Sequence, residues 1–429
     1  MALTRRLLVT CSAIASAATA VMGLPSSAAG PVVGPGPGPG GFTSPNVTWV
    51  ATVPLDAPAI GGRVLTVKGQ RRFYVSGTKG LSIYDVTNPA LPVIIGTLAN
   101  PHFENESVAV SDDGGTVILT SDPGFGQPPV TYVVDTSLAT VPRVVSVIPR
   151  GSHTITCANA QCSHIYANDG WVYDIRERAS PKLVPGEVGG SRHYATRDAA
   201  GLLWDDGTVI DPRRDPAKPT RRRVGTGGWH NNFRPNADKW RPRASGDNTP
   251  LLKPGELVLG NGETWLAPGT CNAKSAGLVS YGVANFDNGV QARTIDTILP
   301  VNGDYQNGNP TVDAVGCSAH WFDYRNGVVA AGWYDHGVRF IKVNEQTGAL
   351  AEVGFYQAGV TEAWGAYWID DEYVYSVDAV RGIDILRFDR KAPAARDVAR
   401  SRSSNPTRVS FSPVTLREQY LCAAVADRA

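Results

Sequence analysis

Along most of the chain, short runs of apolar residues alternate with polar ones at a period of two, and clusters of Gly, Pro, Asn and Asp punctuate them. The stretch GLSIYDVTNPALPVIIGTL (80–98) is a good example: an alternating strand, an Asn-Pro turn and a second strand. Related segments follow at VTYVVDTSLATVPRVVSVI (130–148), WVYDIRERASPKLV (171–184) and GTVIDPRRDPAKPTRRRV (207–224). Looser copies are GLVSYGV (277–283), GVRFIKVNEQTGALAEVGFY (337–356) and GIDILRF (382–388), which brings the count to seven. A strand pair precedes each copy, as in ESVAVSDDGGTVILTSD (106–122), HWFDYRNGVVAAGWYD (320–335) and AYWIDDEYVYSVD (366–378). Four strands repeated seven times predict an all-β, seven-bladed β-propeller over residues 43–392, with antiparallel four-stranded blades whose radial stacking buries both faces of each sheet.

Two departures from the repeat carry information. The fifth unit holds a polar insertion from Arg234 to Glu256, expected on a surface loop. The last unit lacks a fourth strand, because GIDILRF runs into the charged, proline-interrupted DRKAPAARDV. NVTWVATV (46–53) has the alternation of a strand and no blade before it. It is expected to supply the missing outer strand and close the ring, hiding an exposed edge.

Composition agrees with a β-rich chain: among 429 residues there are 46 Gly, 31 Pro and only 2 Met. Forty basic and 39 acidic residues leave a net charge of +1, which argues against nucleic acid, a membrane surface or a polyanion as partner. The basic run Arg213–Arg223 is interleaved with prolines and fits a solvated blade-edge connection. Residues 1–29 read as a signal peptide, with Arg5 and Arg6 before an apolar stretch and Ser27-Ala28-Ala29 at its end. The expectation is a secreted or extracytoplasmic monomer with no membrane-spanning segment after cleavage. Residues 30–42 form a Gly/Pro-rich tether expected to be disordered, and residues 393–429 a C-terminal extension. Export favours disulfides: Cys157–Cys162 across the four-residue ANAQ turn and Cys271–Cys317 as a second pair, with Cys422 left over.

The strand, Asp, Asn-Pro or Ser-Pro, strand pattern of GLSIYDVTNPALPVIIGTL and WVYDIRERASPKLV resembles LVIVD repeats, found in secreted bacterial proteins predicted to be propellers. The resemblance covers about residues 45–392 when the repeats are summed, and it implies fold far more than function.

Candidate chemistry emerges when the units are aligned on their turns. The third opens with His153, the fourth with His193, the fifth with His230 and the sixth with His320. Glu106, Glu362 and Arg63 take comparable places in the second, seventh and first units. In a propeller these positions face the central channel near one mouth. Imidazoles converging there with a carboxylate suit a transition metal such as copper or zinc; alternatively a polar channel uses histidines to bind water and backbone. The arrangement is similar in architecture to selenium-binding-protein and methanethiol-oxidase propellers, which gather histidines on a seven-bladed axis and are associated with copper; no extended motif of that family is present. Trp229 and Trp321 flank the channel and are candidate walls of a ligand pocket, as is Trp364, although such rings commonly pack between blades. His102, His164 and His336 are expected to be solvated. The acidic turns SDDGG and IDDE suit calcium or plain turn chemistry. The sequence thus points to an exported scaffold that binds a small molecule or an extracellular protein at its histidine-lined channel, or alternatively to a copper- or zinc-dependent oxidoreductase or hydrolase.

Overall fold

The computed structural model describes residues 42–55, 59–100, 102, 106, 108–186, 193–225, 229–263, 274–300, 318–358 and 361–392. The expected signal peptide (1–29), the expected tether up to residue 41, the C-terminal residues 393–429 with Cys422, and the expected Cys271–Cys317 pair lie outside the described residues.

Seven antiparallel sheets form the blades of a seven-bladed propeller. Numbered along the chain from inner to outer strand, blade 1 is Ala59–Val67, Gln70–Gly77, Gly80–Asp85 and Val93–Ala99. Blades 2 to 6 have inner strands Ala109–Val110, Ile155–Cys157, Thr196–Arg197, Asn231–Phe233 and Phe322–Arg325. Blade 7 runs Ala363–Trp368, Tyr373–Asp378 and Gly382–Phe388, and its outer strand is the N-terminal Val47–Val53. That strand pairs antiparallel with Gly382–Phe388, from Val47 opposite Phe388 to Val53 opposite Ile383, closing the ring as the alternation of NVTWVATV predicts. Strand structure begins slightly earlier than expected, since Phe42–Thr43 adds a fifth strand to blade 6.

Local chemistry explains the repeat. The aspartate ending the third strand accepts from the backbone N–H two residues on: Asp85 from Thr87, Asp135 from Ser137, Asp174 from Arg176 and Asp211 from Arg213, at 2.9–3.1 Å. Asn344 and Asp389 do the same in blades 6 and 7. Each is an Asx turn, and in blades 1 to 4 and 6 it aims the chain back into the fourth strand, which in blade 7 is supplied by the N-terminal Val47–Val53 instead. The glycine opening the third strand is equally constrained. Gly80 and Gly382 have φ of 139° and 107°, and a Cβ there would meet a carbonyl of the fourth strand, Leu98 O or Val53 O.

Valine, isoleucine and aromatic rings fill the spaces between sheets, for example Phe340 stacked on Phe388 at 4.5 Å between blades 6 and 7. Side chains also stitch inner strands to neighbouring backbone: Thr156 Oγ1 donates to Ala195 O, Asn232 Nδ2 to Trp204 O and Asn231 Nδ2 to Phe322 O, at 2.7–3.0 Å. A disulfide joins Cys157 and Cys162. The outermost strand of blade 4, Thr220–Arg223, is fully exposed, as the basic run implies. The 234–256 insertion is more than a surface loop, because buried Arg234 pairs with Asp198 at 2.8 Å and packs on Trp204, Trp240 and Phe286, while Arg243 holds buried Glu256. Charge in that segment anchors it.

Deleting residues 43–55 removes the buried Val47, Ala51 and Val53, each valine worth about 1.5–3 kcal/mol, and reopens the ring. The thermal transition should fall by more than about 10 °C, whereas deleting residues 30–41 should leave it unchanged; equal transitions in the two truncations, measured by calorimetry, would contradict ring closure.

Candidate metal centre

Each inner strand is entered by a short segment, and those segments carry the site. Glu106 stands three residues before the inner strand of blade 2, His153 two before that of blade 3 and His193 three before that of blade 4. His230 immediately precedes the strand of blade 5, and His320 comes two residues before that of blade 6. Backbone bonds set two of them: His230 N donates to Asn261 O at 2.7 Å and His320 N to Gly332 O at 2.9 Å.

The four imidazoles follow one another in blade order, with ring centroids 4.7 Å apart from His153 to His193, 3.8 Å to His230 and 4.4 Å to His320. Their Nε2 atoms turn toward the buried Glu106 carboxylate. Glu106 Oε2 lies 3.4, 3.3 and 3.3 Å from Nε2 of His153, His193 and His230, and Oε1 lies 3.0 Å from His320 Nε2. Glu263 adds a second carboxylate, 3.1 Å from His230 Nε2. Among the described residues, two sets of ligand atoms lie mutually within 4.8 Å: Glu106, His230, Glu263 and His320, and Glu106, His153 and His193.

These separations match a coordination shell. Ligands about 2.0–2.1 Å from one ion stand about 3.3 Å apart in a tetrahedron and about 2.9 Å apart in an octahedron. Hydrogen bonding accounts for only part of this: His320 Nε2 bonds Glu106 Oε1 at 3.0 Å and the Nε2 atoms of His153 and His193 bond each other at 2.9 Å, whereas buried Glu106 Oε2 and His230 Nε2 face their neighbours without meeting hydrogen-bond geometry. Two of the far ring nitrogens have fixed partners: His153 Nδ1 bonds Asp122 Oδ2 at 2.9 Å and His320 Nδ1 bonds the carbonyl of Trp364, which orients both rings with Nε2 toward Glu106.

Electrostatics reinforce the arrangement. Burial alone would raise the Glu106 carboxyl, but His320, His153, His193 and His230 together hold it well below the usual range. Glu263 is lowered to about 2 against its own burial, chiefly by His230. Burial and the adjacent His230 push His193 down to about 3, whereas Glu263 and Glu106 overcome burial and raise His230 to about 9.

Other residues singled out by sequence fall in different places. Arg63 sits exposed in the middle of the long first strand of blade 1, which begins at Ala59. Glu362 does open blade 7, but it is buried beside Asp335 and Asp378, outside both ligand sets, and burial raises its carboxyl well above the ordinary range. Trp229 packs between blades 4 and 5 on Trp204 and Tyr281. Trp321 is beside the centre, edge-on to His230 at 6.2 Å and against Tyr194 at 4.8 Å, and Trp364 lies edge-on to His320 at 5.7 Å. His102, His164 and His336 are buried, contrary to the solvated expectation: their Nδ1 atoms pair with Asn100 O, Ser163 Oγ and Asp335. The acidic turns use their carboxylates locally, Asp113 on Gly115 N and Asp370 on Tyr373 N.

Glu263 and Asp122 were not singled out, yet a repeated position marks them. Each lies two residues past the end of its blade's second strand, as do Asp169 and Tyr334 in blades 3 and 6. Tyr334, at a φ of 44°, donates its hydroxyl to Glu263 and packs its ring 4.7 Å from that of His320. Strain of this kind in a bulky residue persists where surroundings enforce it. An open cleft lined by Pro123, Arg150, Asp169 and Trp171 lies at blades 2 and 3.

No family model and no curated protein sequence matches the chain, so the LVIVD-repeat resemblance and the selenium-binding-protein likeness rest on repeat pattern and architecture. Solved structures match in fold. The β-propeller domain of Cps50 (Swd1) from Myceliophteria thermophila is similar over 80% of this chain and 100% of its own, at 13% identity and a TM-score of 0.53. A Bacteroides uniformis protein with a provisional 6-phosphogluconolactonase name is similar over 78% of this chain and 93% of its own, at 14% identity and a TM-score of 0.52. At such identities the likeness establishes the propeller alone.

The raised His230 gives a pH test. A histidine at about 9 in the fold, against an ordinary 6.5, stabilises fully below pH 6.5 and loses that contribution as pH rises to 9. Chelator-treated protein should lose thermal stability across that window, and His230→Gln should flatten the slope; a parent transition that stays level or rises from pH 6.5 to 9 would refute the assignment.

Proposed function

We propose that the protein is an exported metalloprotein whose channel histidines hold a borderline transition metal, copper or zinc, and that ligand or substrate chemistry takes place on that metal. The observation that carries this reading is the convergence of four Nε2 atoms from four blades on one buried carboxylate at ligand-to-ligand separations. Neutral imidazole and carboxylate donors suit copper and zinc. His153 and His193 are each 18% exposed against 3% and 0% for His230 and His320, so solvent reaches the centre from the first pair. The signal-like N-terminus and the Cys157–Cys162 disulfide support an oxidising, extracytoplasmic setting.

The competing reading is a proton-balanced network at the heart of a binding scaffold. It is favoured by His230, whose Nε2 lies between two carboxylates: burial would lower it, but Glu263 and Glu106 raise it to about 9. Elemental analysis separates the two. Untagged protein, stripped with chelator and re-equilibrated, should retain copper or zinc at one equivalent or more per chain, and Glu106→Ala combined with His230→Ala should reduce retention at least tenfold while the β-sheet circular dichroism persists. A parent that retains neither metal stoichiometrically overturns the metal reading.

A further inference from the structure

Building on that metal reading, we propose that the centre holds two metal ions bridged by the Glu106 carboxylate. The four rings form an arc that runs neighbour to neighbour. The ligand atoms divide into two sets, and Glu106 alone belongs to both. Its oxygens diverge accordingly, Oε1 toward His320 and Oε2 toward His153 and His193, with His230 at the seam.

The outer set is a usable pocket by itself. His153 Nε2, His193 Nε2 and Glu106 Oε2 form a triangle with sides of 2.9, 3.3 and 3.4 Å. These points lie on a circle of radius about 1.9 Å, so an ion about 2.0–2.1 Å from each would sit just off their plane. The inner set offers His230 and His320 with Glu263 and the other Glu106 oxygen. Each set has its own orienting partner: the Asp122 carboxylate on His153 outside, the Trp364 carbonyl on His320 inside. The two oxygens of this one buried carboxylate therefore face the two sets, Oε1 the inner and Oε2 the outer, as a bridge between two ions requires. A carboxylate bridge keeps such ions about 3.5–4 Å apart.

Burial assigns different tasks. The inner ion is enclosed, whereas the outer one faces solvent through half-buried His153 and His193 and keeps a position open for water or a substrate oxygen.

Metal counting tests this on the whole chain without reference to any activity. Chelator-stripped, untagged protein is titrated with Co(II), and bound cobalt is measured after desalting. The parent should hold two equivalents, and His153→Ala combined with His193→Ala should hold one. With Cu(II), spin coupling should suppress the parent's EPR intensity per copper to less than half, and that double variant should restore it. A parent that binds a single equivalent and shows an uncoupled spectrum refutes the bridged pair while leaving the metal reading intact; a parent that binds none removes both. Parent stoichiometry and coupling decide the matter even if the variant proves unstable.

Discussion

A carboxylate in the middle of a protein needs compensation for its lost hydration, and in this propeller Glu106 obtains it from four imidazoles on four consecutive blades. The rest of the site answers to that constraint. Glu263 and Glu106 outweigh burial and raise His230 to about 9, whereas burial, with His230 beside it, lowers His193 to about 3. A buried network of this kind is costly when incomplete, and removing one partner strands the others. A divalent ion would satisfy every inward-facing donor at once.

Much of the architecture was legible in the chain because each blade repeats the same local solutions. The third-strand aspartate makes an Asx turn, and the glycine opening that strand admits a neighbouring carbonyl no side chain would tolerate. Even the closing strand showed itself, since the alternation of NVTWVATV had to bury one face somewhere. Four channel histidines could be aligned because their units share an entry geometry. Glu263 and Asp122 went unread because they sit on a different repeated position, past the second strand, where turn-forming acids are common for ordinary reasons.

Where sequence misled, it was about burial. His102 and His336 lie in connections, which are usually wet, and His164 opens the second strand of blade 3 just past the disulfide turn, yet each is buried with a partner for Nδ1. The same applies to the 234–256 insertion, whose Arg234 is sandwiched by aromatic rings and paired with Asp198. Arginine tolerates that setting because its planar, weakly hydrated head stacks while it donates. Glu362 shows the converse limit: entry position alone does not deliver a side chain to the axis, and its carboxyl joins Asp335 and Asp378 instead.

Ring closure and site chemistry are linked by geometry. His153, His193, His230 and His320 come from separate sheets, so their mutual distances depend on the circumference of the ring and on the bonds between neighbouring inner strands, such as Thr156 to Ala195 and Asn231 to Phe322. Metal coordination tolerates errors of only a few tenths of an ångström. An open propeller, free to flex at blade 7, would spread that error over every ligand pair. Pairing Val47–Val53 with Gly382–Phe388 closes the ring far from the axis, so a β-strand with no chemistry of its own limits how far the four imidazoles can drift apart.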